Sequence, residues 1–213
     1  VSVQDSAAQW AAPLLLSGLQ AQAPLQVLDA CAAPGGKTAH LLELSDVVVT
    51  ALDIDAERCQ RIHDNLQRLG LSARVVAADA ADLPSWWTGQ LFDAILLDAP
   101  CSGSGVVRRH PDIRWLRRPT DVPQLAKQQA RLLGVLWPLL KPGGRLLYAT
   151  GSVFRAEGHD QINTFLGNNS NATLLPSPGH LLPGQFAQWP GVDDNPNREH
   201  DGFYYALLEK SAA

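Results

Sequence analysis

The stretch Leu25-Gln26-Val27-Leu28-Asp29-Ala30-Cys31-Ala32-Ala33-Pro34-Gly35-Gly36-Lys37-Thr38 decides the fold. An apolar strand over residues 25–30 runs into a turn with two glycines, and a helix is expected over 37–44. Glycine lets the backbone approach a ligand closely, and the helix N-terminus behind it offers unpaired N–H groups. Working outward, residues 47–53 are β-branched and apolar, the mark of a buried strand. Residues 56–69 place Ala56, Cys59, Ile62, Leu66 and Leu69 at spacings of three and four, an amphipathic helix. Strands are predicted over 73–78 and 92–97. A helix is predicted over 122–140, with Leu125, Leu132, Leu136 and Leu139 inward and Pro138 bending its last turn. Lys141-Pro142-Gly143-Gly144 reads as a turn before a strand at 145–149. Ile162, Phe165 and Leu166 mark another helix, and 202–208 a final strand.

This alternation predicts an α/β fold, a mostly parallel sheet with helices on both faces, whose ligands bind at the carboxyl ends of the strands. Residues 2–19 read as a helical lead-in capped by Ser2 or Asp5. Residues 167–200 are rich in Asn, Gly and Pro, including Pro176, Pro178, Pro183, Pro190 and Pro196, and read as a long surface loop. The 213 residues, 46% hydrophobic and 18% charged, suit one globular domain over 1–213 that hides roughly 70% of its unfolded surface. No apolar run reaches the length of a membrane span and no signal peptide opens the chain, so a cytoplasmic protein is expected. Cys31, Cys59 and Cys101 are too few and too scattered for a disulfide scaffold or a metal site. The chain opens on Val1 and contains no Met, and so reads as a fragment or processed form with an N-terminal region missing. The two N-x-[ST] matches, at Asn168 and Asn171, carry little without a secretion signal.

The glycine turn admits three readings. A P-loop needs Gly-x4-Gly-Lys-[Ser/Thr]; Gly36-Lys37-Thr38 fits, but the first glycine would be Cys31. A dinucleotide loop needs Gly-x-Gly-x-x-Gly, which is absent. The third reading is a loop for S-adenosyl-L-methionine (SAM), and the following strands favour it. Asp53, 17 residues after Gly36, ends the second strand where a carboxylate can accept ribose hydroxyls. Asp79 follows the third strand within reach of an adenine amino group, and Asp98 closes the fourth beside the reacting centre. Three acidic strand ends suit a cationic sulfonium cofactor and repel a triphosphate. One such Asp alone would more often be a helix cap.

Asp98-Ala99-Pro100-Cys101-Ser102 puts a cysteine in a loop at a strand end, unlike the packing cysteine Cys59. Five of the 13 arginines then fall in 11 residues, Arg108, Arg109, Arg114, Arg117 and Arg118, interleaved with His110 and Trp115. A charge run is usually a solvated face. This one adjoins the presumed site in a chain of net charge −4, which excludes a globally basic coat but not a local RNA contact.

Asp-Ala-Cys-Ala-Ala-Pro-Gly-Gly-Lys-Thr at 29–38, Asp53-Ile54-Asp55 with Arg58, Asp98-Ala99-Pro100-Cys101-Ser102 and Arg108-Arg109-His110-Pro111-Asp112 together resemble the Sun/RsmB family of SAM-dependent RNA cytosine-5 methyltransferases acting on small-subunit ribosomal RNA. The opening Val1-Ser2-Val3-Gln4-Asp5 and Asp201-Gly202-Phe203-Tyr204-Tyr205 extend the likeness over nearly the whole chain. The resemblance implies a seven-stranded Rossmann-like class I methyltransferase sheet with an antiparallel last strand. It implies SAM bound by Cys31, Ala32, Ala33, Pro34, Gly35, Gly36, Lys37, Asp53, Arg58, Asp79 and Asp98, with S-adenosyl-L-homocysteine as product. It implies ribosomal RNA as partner, no metal and no membrane, and an N-terminal RNA-binding region outside this chain.

In that family a thiolate adds to cytosine carbon 6, making carbon 5 an enamine that attacks the SAM methyl group. A base then removes the carbon 5 proton and the thiolate leaves. The attacking cysteine lies in Thr-Cys-Ser after the fifth strand, and the Pro-Cys cysteine, here Cys101, assists release. This sequence reads Thr150-Gly151-Ser152, and no cysteine follows Cys101. Three accounts stand: an engineered or chance change in a normal enzyme, a non-catalytic factor that binds SAM and RNA, or Cys101 itself as nucleophile.

Overall fold

The computed structural model describes residues 3–19, 24–184 and 199–211. Its core is a seven-stranded sheet of β1 (Leu25–Asp29), β2 (Val47–Asp53), β3 (Arg74–Ala77), β4 (Phe92–Asp98), β5 (Leu140–Thr150), β6 (Ala172–Leu181) and β7 (Phe203–Lys210) in the order β3-β2-β1-β4-β5-β7-β6. The first five strands are parallel, and β7 runs antiparallel between β5 and β6. The strand order reverses between β1 and β4, and such a switch point opens a crevice at the carboxyl ends.

Alternation along each strand sends side chains to two cores. Leu28, Ile95, Leu97, Leu146 and Tyr148 meet α5 (Asp121–Leu136) and α6 (His159–Asn168). Val27, Ala94, Leu96, Leu147 and Ala149 meet α1 (Ala11–Leu16) and Leu41 of α2 (Gly36–Leu44). α3 (Ala56–Leu69) packs Ile62 and Leu66 against Ala39 and Ala51 on this second face. It begins where the Asp55 carboxylate accepts the N–H groups of Glu57 and Arg58, and it ends at Gly70 in the left-handed conformation. A single turn, α4 (Ile113–Leu116), carries Arg114 and Trp115.

Several predicted spans are corrected. The lead-in is a 3-10 turn over Ala8–Trp10 followed by the short α1, and Asp5 accepts the N–H of Ala7. α5 ends at Leu136, and Trp137–Leu139 tightens to a 3-10 turn because Pro138 has no N–H to continue the helix. The turn at 141–144 lies inside β5: Leu140 pairs with Phe92 and Arg145 with Ala94, so the intervening residues bulge. Part of the expected surface loop at 167–200 is strand β6. Its Pro176 and Pro178 hid it, yet an edge strand tolerates proline, and its register shifts between Leu175 and Gly179. The expected cap Ser2, and residues 185–198 of the expected loop with Pro190 and Pro196, lie outside the described residues.

Candidate functional site

Parallel strands bring their last residues to one edge. Asp29, Asp53 and Asp98 end β1, β2 and β4, and Asp79 lies two residues past β3. Between them opens a cleft of about 340 Å³, within the range of small-molecule sites. Cys31, Ala33, Lys37, Asp53, Arg58, Asp79, Asp98, Cys101 and Gly151 all line it. A second cavity of about 480 Å³ lies across the Cys31–Lys37 loop, where Ala32, Pro34 and Gly36 face the segment Val3–Gln9. Gly35 lines neither. Its φ of +98° turns the chain toward α2, and a Cβ there would come within 3.2 Å of Ile62, so a side chain would be both strained and crowded.

The three strand-end carboxylates do not form a bare acidic patch. Asp53 pairs with Arg58 at 3.4 Å, Asp79 with Arg131 at 3.0 Å and Asp98 with Lys37 at 2.6 Å. Repulsion of a triphosphate therefore contributes less to selectivity than the acid count suggests. Acceptor geometry carries the site instead. Asp53 is 4% exposed and, among the described residues, takes only the N–H groups of Asp55 (3.1 Å) and Ala33 (3.3 Å) besides Arg58. Burial lowers the Lys37 pKa, but Asp98 outweighs it and the net shift is upward, so the ammonium is retained. Burial pushes the Asp29 carboxyl up to about 7, against the bond it accepts from the Thr38 hydroxyl at 2.7 Å.

Cys101 and Gly151 face each other across the cleft floor. Among the described residues, a Cβ placed at Gly151 would meet only Cys101 Sγ, at 3.9 Å, an ordinary contact. Gly151 is not among the glycines of positive φ, so neither backbone nor crowding requires a glycine there. Burial pushes the Cys101 thiol up to about 11; Asp98 and Glu157 add to this, and backbone hydrogen bonds with Gly103 and Gly151 oppose it. Cys101 is a thiol at neutral pH, a weak nucleophile but a competent proton donor. Close by, the chain passes Gly105 so near Gly202 that a Cβ on Gly105 would lie 1.9 Å from the Gly202 carbonyl oxygen.

The arginine run divides. Arg108 pairs with Glu199 at 3.0 Å, Arg109 pairs with the buried carboxylate of Asp201, and Arg117 Nε donates to the Ser102 carbonyl at 2.6 Å. These three brace the Cys101 loop and the approach to β7. The side chains of Arg114 and Arg118 make no hydrogen bond or ion pair among the described residues, and Trp115 is 82% exposed. His110 is exposed beside them. Two participants escaped the sequence reading: Arg131, which pairs with Asp79 from α5, and Phe203, which flanks both cavities. Among the described residues no group of three or more His, Cys, Asp or Glu could hold a metal ion, and no helix is long and apolar enough to cross a membrane.

The sequence profile of the family described as 16S rRNA methyltransferase RsmB/F matches residues 17–209. The chain belongs to this family. It is 50% identical over 212 residues to ribosomal RNA small subunit methyltransferase B of Shewanella oneidensis, covering 99% of this chain and 48% of that protein. The corresponding protein of Vibrio cholerae is 49% identical, with 99% and 46% covered. The chain thus spans about half the length of these RsmB/F relatives. Among solved structures, PH0851 superposes with a TM-score of 0.82 at 35% identity, covering 98% of this chain and 47% of the other. NSun6 from Pyrococcus horikoshii with SFG superposes at 0.77 and 26% identity, covering 99% and 53%. The fold is that of the Rossmann-like class I methyltransferases, as the resemblance implied.

Proposed function

We propose that residues 1–213 act as one methyltransferase domain that binds SAM in the cleft at the carboxyl ends of β1, β2 and β4. It serves methylation of carbon 5 of cytosine in small-subunit ribosomal RNA, with glycine at the nucleophile position. The observation that carries this reading is the open room at Gly151, facing Cys101 inside a cleft rimmed by strand-end acceptors. The donor set fits SAM: the Asp53 carboxylate suits ribose hydroxyls, Asp79 an adenine amino group, and the α2 N-terminus with the 31–37 backbone the methionine end. When bound, SAM supplies the electrophilic methyl group and leaves as S-adenosyl-L-homocysteine. The SFG ligand of the Pyrococcus horikoshii structure, a SAM analogue, agrees with this assignment.

The residues of the chain then divide the remaining work. Lys37, held by Asp98, keeps a positive charge at the floor of the cleft. Cys101, a thiol at neutral pH, serves proton transfer during release rather than attack. That protonation state disfavours Cys101 as the substitute nucleophile. Arg114, Trp115 and Arg118 form the RNA contact, with guanidinium groups on phosphates and the indole stacked on a base. His110 lies at its margin, and Arg108, Arg109 and Arg117 hold the loop that presents it. A second reading rests on Gly151 itself, which has no side chain to form an adduct: a factor that binds SAM and RNA without turnover.

The test is the identity of the product. Small-subunit RNA is incubated with labelled SAM and the Gly151→Cys variant, with an N-terminal region of a relative supplied, and digested to nucleosides. Label in 5-methylcytidine is expected. Label in another nucleoside overturns the cytosine-5 assignment, and SAM and RNA binding without transfer favours the non-catalytic factor.

A further inference from the structure

Glu157 follows β5 in a short 3-10 turn, Arg155–Glu157, and is fully buried. A lone carboxylate in a core is costly unless its oxygens are hydrogen-bonded. Here four donors reach it. The Ser102 amide lies at 2.8 Å and the Ser102 hydroxyl at 2.6 Å, the Ser152 hydroxyl at 2.6 Å and the Gln129 amide group at 3.2 Å. Ser102 is the residue after Cys101, and Ser152 is the residue after Gly151. One carboxylate therefore ties together the two loops that face each other across the cleft floor.

Neighbouring groups make the tie rigid. Gln129 Nε2 also donates to the Pro100 carbonyl at 2.8 Å, which fixes the other side of Cys101. The Ser104 and Ser152 hydroxyls lie 3.0 Å apart, and Ser104 accepts the N–H of Val153 at 3.1 Å. The Tyr148 hydroxyl, at 2.8 Å, and the Thr150 hydroxyl, at 3.3 Å, both donate to the Glu157 carbonyl, anchoring the backbone of the turn to β5. Glu157 lines neither the cleft nor the cavity across the Cys31–Lys37 loop.

We infer that Glu157 is a positioning residue that sets the separation between Cys101 Sγ and position 151 by clamping Ser102 and Ser152 on one buried carboxylate. Its chemical purpose rests on the methyl transfer proposed above, whereas the clamp itself is a geometric claim. Covalent attack and proton transfer on one base need both loops held to a fraction of an ångström, and displacement costs rate steeply.

The test reads the separation directly. A thiol introduced by Gly151→Cys has its Cβ 3.9 Å from Cys101 Sγ, close to disulfide reach. The full chain carrying Gly151→Cys is equilibrated with reduced and oxidised glutathione, the latter taking up the two electrons. The effective concentration of the Cys101 pair is measured by peptide mass mapping. Adding Glu157→Ala is expected to lower it by about tenfold or more, the equivalent of about 1.4 kcal/mol, with Glu157→Gln falling between. Far-UV circular dichroism confirms folding, and Ser152→Ala, which cuts one tie, carries the same expectation at a smaller loss should Glu157→Ala not fold. An unchanged effective concentration in a folded variant overturns the inference. In parallel, Glu157→Gln in the Gly151→Cys background is expected to lower kcat for methyl transfer while the Kd for SAM stays put. If Gly151→Cys transfers no methyl group at all, the proposed function fails while the disulfide result still decides the clamp.

Discussion

Asp53 offers the most direct test of the cofactor assignment. It is nearly buried, and two backbone N–H groups and the half-exposed Arg58 engage part of its carboxylate. An ionised carboxylate has about four acceptor positions; the two N–H groups fill two of them and Arg58, at 3.4 Å, pairs by charge without a hydrogen bond, so about two are left for a pair of ribose hydroxyls. Hydrogen bonds to a charged partner contribute about 1.5–3 kcal/mol each, so Asp53→Ala forfeits at least about 3 kcal/mol of SAM binding. That raises Kd by roughly a hundredfold or more. Asp53→Asn keeps one acceptor for the Asp55 N–H but loses the charge, and its Kd is expected to rise by about tenfold. Isothermal titration with SAM measures both variants, and circular dichroism establishes that they fold. A Kd for Asp53→Ala within about threefold of the parent, a difference below about 1 kcal/mol, would leave Asp53 as a structural brace of the Ala33 and Asp55 backbone and remove the ribose assignment.

Other outcomes follow from buried and exposed charges. Asp29 has its folded-state pKa raised to about 7 from 3.8, so the folded chain holds a proton that the unfolded chain releases. Its stabilising share is full below about pH 4 and is lost as pH climbs through about 7, by an upper bound of about 4 kcal/mol. Asp29→Asn keeps an acceptor for Thr38 and does not titrate, so urea denaturation should show it gaining on the parent between those pH values; a constant difference refutes the assignment. Arg114→Ala and Arg118→Ala are each expected to weaken RNA binding and reduce the slope of log affinity against log salt by about 0.7. Arg109→Ala should instead lower the melting temperature, because it leaves the buried Asp201 carboxylate without that partner. Unchanged salt slopes for Arg114→Ala and Arg118→Ala would move the RNA contact elsewhere.

Much of the fold was legible because local signals agreed with one another. α3 carried its apolar spacing from Ala56 through Cys59, Ile62 and Leu66 to Leu69, and it forms over the predicted span. That Asp53 and Asp98 come together at one cleft was legible because each ends an apolar run, and parallel strands deliver such ends to one edge. β6 was not, because Pro176 and Pro178 argue against a strand until its edge position is known. Nor was the division of the arginines, since Glu199 and Asp201, which engage Arg108 and Arg109, lie some 90 residues away. Glu157 was the least legible. In Arg155-Ala156-Glu157 it reads as surface, and only Ser102, Gln129 and Ser152, brought in from separate elements, make a buried carboxylate tolerable.

The central claim is that an otherwise complete methyltransferase cleft lacks its nucleophile at position 151. The measurement that tests it most directly is transfer of labelled methyl from SAM to unmethylated small-subunit ribosomal RNA, by this chain and by Gly151→Cys side by side. An N-terminal region of a relative is supplied to both. The room beside Cys101 and the ordinary backbone at Gly151 predict transfer by the cysteine variant and none by the parent. Equal transfer by both chains would contradict the account and return the nucleophile to Cys101.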